Sequence, residues 1–269
     1  MQSASLPVER EASSDLVRNG LLRLLGWRGL LLQSDPPTWD RWRWVRKHLA
    51  PAGDDLFVRT LDAGCGSGGF SLYAASRGHH VLGLSFDDDA NAMAMRRAAI
   101  LNLPHARFRT ADLRGLDRLT GELGTFDQIL CLETIEHLSD DDKLVRNLAA
   151  LLRPGGRLLL TTPSIAHRGL VGEALSATED GGHVRWGYSV ERLRELLRCA
   201  GLEPVSEAYL SGIVSQQITN VARVLARTVG VRAAWAMTAP LRLLGVLDRP
   251  LTRLLNYRWL AVAIVGVRE

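Results

Sequence analysis

The chain has little cysteine and no long hydrophobic run. Its three cysteines, Cys65, Cys131 and Cys199, lie far apart and none stands in a CxxC spacing. That argues against zinc sites and redox pairs and fits a reducing, cytoplasmic setting. No apolar stretch approaches the roughly 20 residues needed to span a bilayer, so a soluble protein is expected, or at most one lying on a membrane surface. The opening residues MQSASLPVEREASS are too polar and acidic for a signal peptide. Repeats and low-complexity tracts are missing. Lys and Arg outnumber Asp and Glu by 33 to 29, but no dense basic block appears, so nucleic acid is not an expected partner. What remains is a 269-residue chain of balanced composition, enough for one globular domain with additions.

From about Phe57 to Leu210 short apolar runs alternate with helical periods, the pattern of βα units that build a parallel sheet. Strands are expected at VRTLDAG, HHVLGLS, ARFRTAD, FDQILCLE, GRLLLTTP and EPVSEAYL, with YRWLAVAIVGVR as a last strand. The fold class is therefore α/β, a doubly wound, mostly parallel seven-stranded sheet. Residues 1–55 are read as an N-terminal helical lid, 56–210 as the core, 211–256 as a helical insertion and 257–269 as the last strand of the core. The insertion carries Arg223, Arg227, Arg232, Arg242, Arg249 and Arg253 against Asp248 alone. Additions of this kind usually shape a substrate pocket. Nothing in the pattern speaks to the oligomeric state.

The loop after the first strand, DAGCGSGG, carries Gly64, Gly66, Gly68 and Gly69. Glycines there let the backbone turn tightly and approach a ligand at a helix N-terminus. Read as Gly64, Gly66 and Gly69 the loop meets the dinucleotide pattern GxGxxG. Read as Asp62, Gly64, Gly66 and Gly68 it meets DxGxGxG, so the glycines alone do not choose.

The rest of the chain does choose. From about Thr60 to Gly201, the order of DAGCGSGG, Asp112 of TADL, FDQILCLETIEHL and LLRPGGRLLLTTP resembles the class I S-adenosylmethionine-dependent methyltransferases. The resemblance implies a Rossmann-like fold, S-adenosylmethionine as cofactor and a small-molecule acceptor. It implies that the loop of Asp62, Gly64, Gly66 and Gly68 holds the methionine end. It also implies that Ser85 and Phe86 meet the ribose, that Asp112 and Leu113 meet the adenine, and that Leu132 borders the cofactor. Within the family CLETIEH is most similar to the ubiquinone-biosynthesis O-methyltransferases, so an oxygen acceptor is expected. A C-methyl or lipid- or isoprenoid-directed enzyme at a membrane surface is the alternative. The tryptophans at 27, 39, 42 and 44 suit core packing better than an acceptor site, although with the arginine-rich insertion they keep that alternative open.

Methyl transfer from a sulfonium is an in-line displacement, so the protein has mainly to position the reactants and remove a proton. In an open α/β sheet the responsible groups belong beyond the carboxyl ends of the strands. Glu133, Glu136 and His137 follow the fourth strand; His167, His183 and Tyr188 follow the fifth. His137 is the first choice as base, because imidazole titrates near neutral pH. Its competing role, with Glu136, is to tie down a helix start. His183 in EDGGHVRWGYS is the rival, in a glycine-bearing loop read as mobile, with Trp186 and Tyr188 as an aromatic wall. Tyr188 equally suits a hydrophobic staple before SVERLRELLRCAG. Glu133 completes the candidate set. Glu133, Glu136 and His137 within one turn are not a metal site by spacing alone, and no metal is expected.

One stretch departs from the family pattern. In VLGLSFDDDA, Ser85 stands where the ribose-binding acid is usual, and the acids arrive two residues later. Asp87 suits an N-cap, with Asp88 and Asp89 in the first turn of the next helix. Enzymes that form cyclopropane lipids resemble this departure in having a hydroxyl residue there. An NADP oxidoreductase would also lack the acid, but the three aspartates would repel a 2′-phosphate. A cofactor-binding chain without catalysis is a further alternative, disfavoured by the intact loop and the candidate bases. Upstream, SDPPTW resembles the acid-Pro-Pro-aromatic motif of DNA amino-methyltransferases, yet Thr38 intervenes and a helical pattern follows. A proline-started helix is the expected reading.

Overall fold

The computed structural model describes residues 20–52, 57–166 and 175–269. His167, residues 1–19 of the expected lid and residues 53–56 at its junction with the core lie outside them. Seven strands form one sheet: β1 (Arg59–Ala63), β2 (His80–Ser85), β3 (Ala106–Thr110), β4 (Phe126–Leu132), β5 (Leu152–Pro163), β6 (Leu202–Leu210) and β7 (Ala261–Arg268). Their order is β3-β2-β1-β4-β5-β7-β6. The pairs among β1 to β5 are parallel, while β7 runs antiparallel to both β5 and β6. The carboxyl ends of β1 to β6 therefore share one edge, and β7 starts from it. The central strand FDQILCL is buried at every residue, as expected where helices cover both faces of a parallel sheet. The border strand β6 alternates between covered and exposed. Two expected limits shift: β5 begins at Leu152, ahead of GRLLLTTP, and β7 begins at Ala261, past Tyr257 to Leu260.

Helices cover the sheet in two layers. After the short helix α1 (Arg28–Leu32), α2 (Pro36–His48) and α3 (Gly69–Ala75) contribute Trp44, Val45 and Tyr73 to a cluster on one face with Leu130, Leu132, Leu159 and Val265. The other core cluster receives Leu144 and Leu148 from α5 (Asp141–Ala150) and Leu193 and Leu196 from α6 (Val190–Cys199). Between them in sequence lies α4 (Asp88–Ile100). Proline starts α2: Asp35 accepts from the Thr38 amide, and Pro36 and Pro37 occupy the first turn, where a missing N–H costs nothing. That geometry leaves no base-flipping motif at SDPPTW.

Helices α7 (Ile213–Val229), α8 (Val231–Thr238) and α9 (Asp248–Leu254), with a 3₁₀ stretch Ala239–Leu247, join β6 to β7. Two acids, the half-buried Asp40 and the buried Asp248, fasten them. Asp40 of α2 accepts from the hydroxyls of Ser211 and Ser215 at 3.0 and 2.7 Å. Asp248 accepts from the amides of Gly212, Val214 and Ser215, satisfying donors that a helix start leaves unpaired.

Candidate active site

The carboxyl edge of β1, β2 and β4 opens into a cleft. Its lining includes Gly64, Gly66, Ser85, Phe86, Asp112, Leu113, Glu133 and His137, joined by Thr134, Arg114, Glu179 and Gly181. The structure thus brings together most of the residues that the sequence nominated, from the four loops that follow β1, β2, β3 and β4. After β1 the chain turns back through Gly64, Gly66 and Gly68, with φ of +88°, +49° and +80°, a region that β-carbons disfavour. The amides of Gly64 and Cys65 both donate to the Leu84 carbonyl, at 2.9 and 2.8 Å, which ties the loop to the end of β2. The glycines differ in purpose. A β-carbon at Gly64 would collide with Thr134, and one at Gly68 would press on Ala94 and Phe108, whereas Gly66 faces open space. Gly66 therefore presents bare backbone to the cleft, and Gly64 and Gly68 make the packing around it possible. Asp62 is buried behind the loop, where its carboxylate accepts from Ser71 and burial pushes its pKa up to about 6.

Ser85 lines the cleft at the tip of β2. None of the three aspartates that follow does so. Asp87 caps α4 by accepting from the amides of Asp89 and Ala90 at 2.9 and 3.1 Å, and Asp88 takes the Thr110 hydroxyl. Phe86, 67% exposed, forms the outer wall beside Gly181. Asp112 caps the 3₁₀ turn Leu113–Arg118, and its carboxylate is paired with Arg114 at 2.6 Å, which holds its pKa below the usual carboxylate value.

Beyond β4 the turn Glu133–His137 carries the densest chemistry. Glu133 has φ of +51°, a left-handed conformation that costs a glutamate about 1–3 kcal/mol unless its surroundings impose it. Here the imposition is visible: the carboxylate pairs with Arg41 of α2 at 3.0 Å and accepts from the Thr161 hydroxyl at 3.0 Å. Glu136 is fully buried, with the Thr162 hydroxyl donating to one oxygen at 3.1 Å and no hydrogen-bond partner for the other among the described residues. Burial, reinforced by the neighbouring Glu133 carboxylate, pushes its pKa well above the usual range, so the neutral acid is favoured. His137 points Nδ1 at the Gly182 carbonyl, 3.0 Å away, and its ring meets that of His183 edge to face at 4.8 Å between centroids. Ligand atoms of Glu136, His137 and His183 lie within 4.8 Å of one another, a grouping able to hold a cation. From the sequence no metal is expected, and Glu133, Glu136 and His137 are no metal site by spacing alone; in the structure His183 joins Glu136 and His137, and the Arg41 ion pair engages the Glu133 carboxylate.

Several nominated residues stand elsewhere. Tyr188 is buried in the core with Leu193, and its hydroxyl donates to the Asp141 carboxylate at 3.0 Å. It is the staple before α6 rather than a wall of the cleft. Leu132 packs with Trp44, Tyr73 and Leu159 under α2 instead of bordering the cleft. His183 is adjacent to the lining through His137. Its loop is fastened as well: the Val184 amide donates to the Glu136 carbonyl, and Arg185 reaches Asp141 and the carbonyls of Leu138 and Ser139. This anchoring departs from the mobile loop expected from its glycines. Arg41, Thr134, Arg114, Glu179 and Arg185 were missed from the sequence. Arg114 alone had a local signal, two residues after a capping aspartate; the others act across long stretches of chain.

A family profile described as a methyltransferase domain matches residues 20–207, well over half of the chain. The ubiquinone biosynthesis O-methyltransferase of Xanthomonas axonopodis pv. citri (strain 306) is 29% identical over 195 residues, covering 70% of this chain and 77% of that protein. Its counterpart in Marinobacter nauticus (strain ATCC 700491 / DSM 11845 / VT8) is 32% identical over 181 residues, covering 64% and 74%. Among solved structures, phosphoethanolamine N-methyltransferase 2 of Haemonchus contortus in complex with S-adenosyl-L-methionine aligns with a TM-score of 0.56 at 17% identity. That alignment covers 86% of this chain and 52% of that one, a likeness of fold.

Proposed function

Since this chain belongs to the methyltransferase-domain family and is an S-adenosylmethionine-dependent methyltransferase, we propose that it methylates an oxygen of a small-molecule acceptor, with His137 as the base. The observation that carries this reading is the bond from His137 Nδ1 to the Gly182 carbonyl. A carbonyl only accepts, so the ring proton belongs on Nδ1, and Nε2 keeps its lone pair for an acceptor hydroxyl. A hydroxyl is a poor nucleophile until its proton leaves, and a base fixed at the cleft wall suits that task. The names of the ubiquinone relatives favour oxygen independently.

S-adenosylmethionine supplies an electrophilic methyl on its sulfonium. We assign the backbone at Gly64 and Gly66 to its methionine end, Ser85 and Phe86 to the ribose, and Asp112 with Leu113 to the adenine side. In this assignment the Ser85 hydroxyl takes the place of an acid. It makes a neutral hydrogen bond worth about 1 kcal/mol, against about 1.5–3 for a charged one. In this assignment the segment around Gly181 and Gly182 forms one wall of the cleft and holds the His137 ring. An NADP oxidoreductase is set aside by the family and by the three aspartates.

In a second reading, favoured by the convergence of Glu136, His137 and His183, those residues hold a divalent cation that would lower the pKa of a bound hydroxyl. Turnover with S-adenosylmethionine and a panel of phenols, alcohols, amines and carbon acids tests the main proposal, with the site of methylation read by mass spectrometry and NMR. An O-methyl product is expected, and methylation confined to nitrogen or carbon would overturn it. Loss of turnover in chelator, restored by a divalent cation, would favour the second reading.

A further inference from the structure

The segment between β6 and β7 is packed inside out. Among its described side chains, the buried ones are small or polar, including Ser215, Thr219, Ala222, Ala234 and Thr252, and Ile218 is the one large apolar group buried. Its large apolar side chains point outward: Val224, Met237, Leu243, Val246 and Leu254 are between 58 and 80% exposed. The 3₁₀ stretch APLRLLGVL has no buried residue. Scattered exposed leucines are ordinary, but a contiguous run of them marks a surface that meets an apolar phase.

The charges of this surface have one sign. Arg223, Arg227, Arg249 and Arg253 are exposed, while the only acid between 211 and 256, Asp248, is buried and occupied with the start of α7. Leucine and valine interleaved with arginine, with no exposed acid, match a bilayer interface carrying anionic headgroups. A second copy of the chain fits less well, since self-pairing of one patch would set its arginines against their own copies. No described helix is long and apolar enough to cross a membrane, so the fit is to the interface.

We propose that the outer face of residues 213–256 docks this protein on anionic lipid bilayers. The insertion springs from the carboxyl edge of the sheet, the edge that also carries the cleft. Docking therefore sets the cleft's side of the molecule toward the lipid. The family profile ends at residue 207, so this surface belongs to a part of the chain that it does not match.

Co-sedimentation of the full chain with phosphatidylcholine vesicles, with and without phosphatidylglycerol, tests the inference. The expected result is binding to the anionic vesicles that weakens as salt rises. Leu243→Asp with Val246→Asp should weaken binding by about tenfold or more, and Arg249→Gln with Arg253→Gln by about tenfold. No binding to anionic vesicles, or unchanged binding by the aspartate variant, overturns the proposal. So does a dimer in vesicle-free solution that the aspartate variant dissociates, which would make a second copy the occupant. S-adenosylhomocysteine calorimetry on every variant keeps this apart from the methyltransferase reading: intact cofactor binding with lost sedimentation concerns the surface alone.

Discussion

The cleft and the insertion break the same rule in opposite directions. At Glu136 the protein buries a carboxyl group with one oxygen unpartnered among the described residues, whereas between Val224 and Leu254 it exposes large apolar side chains. Neither arrangement is what stability alone would select, because buried charge is penalised and exposed leucine gains nothing from folding. The contrast with Asp248 is instructive: it too is a buried acid, but three backbone amides donate to it and it serves only structure. Burial of an acid does not by itself mark chemistry; burial with unmet hydrogen-bonding capacity does.

Variants that act on one region and spare the other sharpen this contrast. His137→Ala should lower turnover about 10²- to 10⁴-fold while S-adenosylhomocysteine affinity, read by calorimetry, stays within a few-fold. Gly64→Ala forces a β-carbon toward Thr134 at φ +88°, and cofactor affinity should fall about 100-fold in the same measurement. An unchanged affinity would show that the loop tolerates the clash and that its shape is not set by packing.

Glu136→Gln probes the buried acid through pH. The carboxyl's folded pKa lies above its unfolded value of 4.5, so the native state binds that proton more tightly. Its stabilising contribution is full below that value and lost as pH rises through the raised pKa. Urea unfolding in chelator should show the wild type losing stability with rising pH, and the glutamine variant flattening that slope by about 1–2 kcal/mol overall. Asp62, raised to about 6 for the same reason, leaves a residual decline. Ser85→Asp should tighten S-adenosylmethionine binding about fivefold by restoring a charged acceptor for the ribose. No change, together with a large loss in Asp87→Ala without unfolding, would move the ribose contact to the cap. Smallest of all, Leu243→Ser should alter unfolding free energy by less than about 0.5 kcal/mol, since that leucine is 80% exposed. A loss of several kcal/mol would mean that the insertion is ordinary core.

What the sequence could disclose was governed by distance along the chain. The strands, the glycine loop and the Asp87 cap announce themselves as local sequence patterns, although of these only the cap is made by contacts within a few residues. Ser85 and Asp112 were nominated through the family resemblance and His137 by its place beyond the fourth strand; that they line one cleft follows because loops at one edge of a parallel sheet converge. Tyr188 was ambiguous because an aromatic residue before a helix serves a staple and a pocket wall equally well, and only the position of Asp141 decides. Arg41 left no local trace: its partner Glu133 lies in another layer, and nothing in RWRWVRK distinguishes one arginine from the next. The outward leucines of the insertion look in sequence like any amphipathic helix, since periodicity gives a face without saying which way it turns.

The pairing of β6 with β7 has a consequence for how such chains diversify. Leu210 stands opposite Ala261, and the Leu260 amide donates to the Ser211 carbonyl at 3.0 Å, so the helical excursion departs and returns at a single rung of the ladder. A tight hairpin would close the same rung. The excursion thus leaves and rejoins the sheet at one rung, so the strand order does not depend on the length of what lies between.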